Sequence, residues 1–158
     1  MRIRIGNISY QGLNCDKRLI IPVVIEESKT PGVEKASAIM DMYEISYFVA
    51  RTNPVLTGLL LLSAEVYAID RAVSRHIDSI DGWSRIFDVT FKVRGADLFE
   101  ANKGHIDSML SFLTGDYWDC HFEEISDIEW GTDNEGREDF SQISQVNLFS
   151  GGMDSLIG

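Results

Sequence analysis

Residues 1–124 predict an α+β domain: a mixed or antiparallel sheet carrying two main helices. Three observations point there. Runs with a strict two-residue alternation of apolar and polar side chains recur along the chain, one long stretch from Val55 repeats its apolar residues at helical spacing, and Gly, Pro and Asp-Gly breaks separate them. The chain has 158 residues, 44% hydrophobic and 25% charged, enough to bury a core without disulfides or metal.

The elements follow in order. Arg2-Ile3-Arg4-Ile5 alternates and suits an edge strand. Leu19 to Ile25 is rich in β-branched residues, with Pro22 favouring an edge. Residues 26–38 are polar with a Pro-Gly turn signal and are expected to form a loop. Tyr43, Ile45, Tyr47 and Val49 alternate, giving a third strand. Thr52 or Asn53 can cap the main helix and Pro54 fits its first turn. Leu56, Leu59, Leu60, Val66, Ile69 and Val73 keep helical spacing to about Ile77, with Leu61, Leu62 and Tyr67 widening the stripe. After Asp81-Gly82, Phe87, Val89, Phe91 and Val93 mark a half-buried strand. A second helical region covers about 97–114, broken near Gly104, with Ile106, Met109, Leu110 and Leu113 as its apolar face and Gly115 ending it. Trp118, Cys120 and Phe122 form the last strand of this unit.

Charge divides the chain unevenly. Residues 121–158 hold nine acids and one base, and residues 1–120 hold sixteen acids and thirteen bases. Residues 125–144, with Gly131, Asn134 and Gly136 among the acids, are expected to be an acidic linker. The net charge of −11 opposes a whole-surface grip on nucleic acid, so no direct nucleic-acid binding is expected. No apolar run approaches the roughly 18 residues of a membrane span, and no signal-like apolar region opens the chain. Cys15 and Cys120 are too few for a disulfide framework or a four-ligand zinc site, and are expected to be reduced thiols in a cytoplasm.

The sharpest motif comes last. The strand-like run Val146-Asn147-Leu148-Phe149 leads into Ser150-Gly151-Gly152-Met153-Asp154-Ser155, and Leu156-Ile157-Gly158 could open a helix. Strand, glycine loop and helix start form a phosphate cradle: glycines let the backbone approach an anion, successive N–H groups point into the loop, and the helix N-terminus adds positive potential. Asp154 is placed to hold a metal-bound phosphate. The G-x-x-x-x-G-K-[ST] pattern of the lysine-dependent P-loop is not present.

This Ser-Gly-Gly-x-Asp-Ser hexapeptide resembles the PP-loop of the adenine-nucleotide α-hydrolase superfamily of ATP pyrophosphatases. The stretch from Val146 to Ser155 is similar to 7-cyano-7-deazaguanine synthase. Three upstream segments, Ala64–Arg71, Trp83–Val89 and Leu110–Trp118, are similar to the synthase-like proteins of bacterial antiphage operons, in the Qat system and in a cyclic-oligonucleotide signalling system. The resemblance implies an α+β accessory domain over 1–124, the acidic linker over 125–144, and the first strand and loop of an α/β PP-loop domain over 145–158. It implies ATP and Mg2+ as cofactors, with Ser150, Gly151, Gly152, Asp154 and Ser155 as the cofactor-binding residues. It further implies AMP transfer to a deazapurine-like acceptor with release of pyrophosphate, and protein partners from a defence operon. Ordinary synthases place the loop almost at their N-terminus and carry a four-cysteine zinc site that this sequence does not have. The sequence is therefore expected to be a fragment, inactive by itself, with zinc possible only in a further C-terminal part. The same loop serves thiolating and other amidating enzymes, and an interaction domain of a defence complex is the alternative of another class.

The remaining candidates have plainer readings. His76, His105 and His121 are far apart and are expected at the surface or core edge. Cys120 and His121, adjacent in a strand, face opposite ways and cannot share a metal. Asp70, Arg71, Arg75 and Asp78 have the spacing of a solvated ion-pair face. Trp83, Trp118 and Trp130 are expected in core or interface packing, Leu59–Leu62 in the core, and Glu123–Asp139 in solvent.

Overall fold

Alternation is what builds the sheet. In β1 (Arg2–Ile5) the isoleucines are buried and the arginines exposed. In β3 (Arg18–Glu26) Leu19, Ile21, Val23 and Ile25 face inward. In β5 (Ile86–Val93) Phe87, Val89, Phe91 and Val93 have no exposed surface at all. With β2 (Ser9–Gln11), β4 (Lys35–Asp41) and β6 (Tyr117–Glu124) these strands form one mixed sheet of six. The computed structural model describes residues 1–11, 18–26, 35–41 and 53–125.

β1 and β2 follow one another along the same edge of β3, both antiparallel to it, and β4 lies antiparallel on the other edge. β1 then pairs in parallel with β5, and β5 in parallel with β6. The sheet therefore has five positions, in the order β4, β3, β1/β2, β5, β6. β1 is central, which corrects the expectation of an edge strand. Its alternation reports one covered face and one open face, and says nothing about neighbours in the plane of the sheet.

Pro22 also lies in an interior strand, for a definable reason. Ile5 pairs with Val23, but Ser9 pairs with Ile20, so residues 6–8 oppose only residues 21 and 22. This is a β-bulge, where a proline without an N–H is tolerated. The Pro22 carbonyl still accepts from Gly6 N at 2.8 Å.

Helix α1 (Pro54–Ala72) starts where expected, with the Asn53 side chain accepting from Val55 N at 2.9 Å and Pro54 in the first turn. It packs across β3, β4 and β5. At Gly58 the helix meets the turn after β5, where a Cβ would stand 2.3 Å from the Arg94 carbonyl oxygen. The helix does not reach Ile77: Val73 is extended, and a separate short helix, α2, covers Arg75–Asp78. Its buried face is also displaced from the expected one. Leu61, Leu62, Ala64, Glu65, Ala68 and Ile69 are buried, while Leu56, Leu59 and Tyr67 are exposed and Leu60 is half-buried.

The second helical region is two helices, α3 (Ala96–Ala101) and α4 (Lys103–Thr114), broken at Asn102 close to the expected position. Gly115, with φ of 73°, ends α4 in the left-handed conformation. Of the expected apolar face Leu110 is buried and Ile106 half-buried, but Met109 and Leu113 are exposed. Both helices pack on β6, with the Phe99 ring tilted against Phe122 at 5.6 Å between ring centroids.

The four helices among the described residues connect or cover this sheet, and one sheet face carries the inward residues of β1, β3, β5 and β6. The α+β class with a mixed sheet is thus present. Residues 35–38, expected in a loop, belong to β4, and β2 was not expected. Ala36, Ala38 and Met40 give β4 only a weak alternation, too small in volume to signal a strand. The strand expected over 43–49, the acidic linker beyond residue 125 and the run from Val146 lie outside the described residues. No helix among the described residues is long and apolar enough to cross a membrane.

Candidate functional site

Ser150, Gly151, Gly152, Asp154 and Ser155 lie outside the described residues, so the chemistry of the loop is carried by sequence alone. Among the described residues no group of three or more His, Cys, Asp or Glu side chains is arranged to hold a metal ion. What the structure does assemble is two buried acidic sites and one apolar groove.

The first acidic site gathers Asp70 and Arg75, expected in solvent, together with Arg85 and Asp116. Arg85 immediately precedes β5 and Asp116 immediately precedes β6, so the parallel pairing of those strands brings them side by side. Arg85 is 1% exposed and Asp116 2%. Asp116 accepts five hydrogen bonds: from N, Nε and Nη2 of Arg85 at 2.9, 3.2 and 2.7 Å, and from Nη1 and Nη2 of Arg75 at 3.0 and 2.9 Å. Arg85 Nη1 also donates to the Val73 carbonyl at 2.6 Å, and Arg75 Nη2 to the Thr114 carbonyl at 3.0 Å. These bonds explain the break in the main helix. The Val73 carbonyl serves Arg85, and the turn at Ser74 swings Arg75 toward Asp116.

Burial works against the charge on Asp116, but the Arg85 hydrogen bonds and the two guanidinium charges outweigh it and hold the carboxyl below its ordinary value. The cluster ties the end of α1, the start of β5 and the turn between α4 and β6 together. Asp81 shapes the approach to it, accepting from Trp83 N at 2.9 Å and from Ser84 N, and Arg75 lies over the exposed Trp83 ring at 5.1 Å.

The second site is Glu65, fully buried on α1. Its Oε2 accepts from Lys92 N at 3.1 Å, and its Oε1 has no hydrogen-bond partner among the described residues. Burial dominates and pushes the carboxyl well above its ordinary value, against the lowering effects of the Lys92 N–H and the Lys92 charge. Cys120, buried on β6, donates its backbone N–H to Asp107 at 3.0 Å, and burial pushes its thiol far upward, so it is no ready nucleophile. His121, on the opposite face as expected, is exposed and 3.7 Å from both Asp88 and Asp119. His76 and His105 are exposed.

The groove lies between α1 and the α3–α4 pair, lined by Val55, Leu59, Leu98, Phe99, Asn102 and Ile106, with a volume of about 170 Å³. Phe112, on α4, is 88% exposed. Trp118 is core, against Phe87 at 4.7 Å between centroids, and Trp130 lies outside the described residues.

The sequence reading missed Arg85, Asp116 and Glu65, although position marks all three. Arg85 continues the inward parity of Phe87, Val89 and Phe91, and Asp116 that of Trp118 and Cys120. Glu65 stands three and four residues from Leu62, Leu61, Ala68 and Ile69. Their charge argued for solvent and masked the periodicity.

No family model, curated protein or solved structure matches the chain.

Proposed function

We propose that this chain belongs to an ATP-using, AMP-forming enzyme of the PP-loop type, resembling the 7-cyano-7-deazaguanine synthases, that adenylates a deazapurine-like acceptor in antiphage defence in the cytoplasm. The observation that carries the reading is the hexapeptide Ser150 to Ser155 directly after an apolar, strand-like run. In this reading Ser150, Gly151, Gly152, Asp154 and Ser155 hold the ATP phosphates, the glycines through backbone N–H groups and Asp154 through magnesium. The α+β unit is the accessory domain. Its buried charges Arg85 and Asp116 bind its own elements together, which suits a scaffold. The test is pyrophosphate release from ATP by the full-length protein. Asp154→Ala and Ser150→Ala are expected to abolish it while the α+β unit melts unchanged; release undiminished in both variants would overturn the reading.

A second reading, an interaction domain whose loop binds ATP without turnover, is favoured by the outward apolar residues Leu56, Leu59, Leu98 and Phe112. ATP binding without pyrophosphate release by the full-length protein would select it.

A further inference from the structure

The parallel seam between β1 and β5 ends in an unusual rung. Along β5, Asp88 N donates to the Met1 carbonyl at 2.9 Å, and the pairing proceeds through Thr90 opposite Arg4. Two residues further, Lys92 N–H points at the same edge, one step past the last paired residues, where β1 ends and Gly6 N continues toward β3 by donating to the Pro22 carbonyl. There the helix layer supplies an acceptor: Glu65 Oε2 accepts the Lys92 N–H at 3.1 Å. A carboxyl group thus stands in for a strand carbonyl.

That carboxyl has little else. It is fully buried, and its second oxygen has no partner among the described residues. The strands that α1 packs on turn only uncharged groups toward it: Leu19, Ile21, Val23 and Ile25 from β3, Ala36, Ala38 and Met40 from β4, and Phe87, Val89, Phe91 and Val93 from β5. The nearby charge among the described residues is Lys92, whose side chain lies on the opposite face of the sheet and donates from Nζ to Asn7 Oδ1 at 3.3 Å. One N–H and a cation on the far side do not solvate a carboxylate, which requires several donors or a close counter-charge.

We propose that Glu65 is a proton-operated latch on the β1–β5 seam: as the neutral acid it closes the last rung, and on losing its proton it leaves the core for water, opening the seam locally and releasing the bulged β1–β2 segment. The closed seam binds one proton more than the open one. Its stability is therefore full below the ordinary carboxylate range and is lost as the pH rises from that range toward the higher value at which Glu65 ionises in place.

Amide hydrogen exchange of the whole chain, corrected for the intrinsic pH dependence, tests this. Protection of the Lys92 and Thr90 amides is expected to fall by about tenfold per pH unit above pH 5 until Glu65 is ionised, since one proton is linked to opening. In Glu65→Gln the same amides should show no such slope. Equal slopes in the two proteins, or pH-independent protection in the parent, would overturn the latch. If Glu65→Gln does not fold, carbon-13 titration of the Glu65 carboxyl in the parent decides: a midpoint well above the ordinary carboxylate range supports the latch, and one within that range overturns it.

Discussion

Asp116 and Glu65 are both withdrawn from water, yet the fold treats them in opposite ways. Asp116 accepts five hydrogen bonds from two arginines and stays ionised below the usual carboxylate range. Glu65 accepts a single backbone N–H and is driven toward its neutral form. Burial is common to the two, so burial does not set the charge state. The number of donors and the nearness of a counter-charge do. The loop turns before β5 and β6 are free to gather arginines around Asp116. The middle of α1, facing a sheet of aliphatic side chains, offers Glu65 nothing comparable.

The largest expected effect comes from breaking the well-supplied site. Asp116→Asn leaves the buried Arg85 guanidinium with only the half-exposed Asp70 as counter-charge and should cost about 3–5 kcal/mol in urea unfolding. Replacing both partners, Arg85→Met with Asp116→Leu, should recover much of that loss, because no buried charge remains. A loss below 1 kcal/mol for Asp116→Asn would mean that the cluster is not what fastens the end of α1.

Glu65→Leu sharpens the contrast. At pH 5 it strands the Lys92 N–H and should cost about 1–3 kcal/mol. The penalty should shrink as the pH rises, since the parent loses the stability of its protonated Glu65 and the variant has none to lose. A penalty constant from pH 5 to pH 8 would contradict the assignment.

The two sites should also give stability slopes of opposite sign. The Asp116 pKa is lowered on folding, so its contribution is complete above the ordinary carboxylate pKa and is lost as the pH falls below it. The Glu65 pKa is raised, so its contribution is complete below that pKa and is lost as the pH rises above it. Urea midpoints measured from pH 3 to pH 8 should show the acid limb flattened in Asp116→Asn and the alkaline limb flattened in Glu65→Leu. The smallest effect belongs to the surface: Phe112→Ser should change stability by no more than about 0.5 kcal/mol, because the ring is 88% exposed.

Much of the fold was legible in the sequence. The strand over Leu19 to Ile25, the inward parity of β5 and β6, the Asn53–Pro54 start of α1, the break before α4 and the glycine that ends it are all local signals, and the structure carries each. What was not legible depends on partners far along the chain. The central place of β1 comes from pairing with β5, some 85 residues away. The break at Val73 comes from Arg85 and Asp116. The buried face of α1 was misplaced because Leu56 and Leu59 look like core and Glu65 does not, whereas packing against the Arg94 turn through Gly58 fixes the helix's rotation. The loop from Ser150 to Ser155 was read from residue chemistry, and the described residues end before it.

The seam between β1 and β5 has a consequence in time as well as in energy. β1 to β4 pair among themselves through short antiparallel connections, and β5, α3, α4 and β6 form a compact parallel unit within 39 residues, 86–124. Only after both halves exist can β1 meet β5, and closing so long a loop is entropically slow. We expect the unit of β5, α3, α4 and β6 to be ordered in the folding transition state and the junction to form afterwards. Conservative truncations such as Val89→Ala and Phe91→Leu should slow folding, whereas Ile3→Val should mainly speed unfolding. The chain would then assemble as two separately nucleated pieces joined by a late splice.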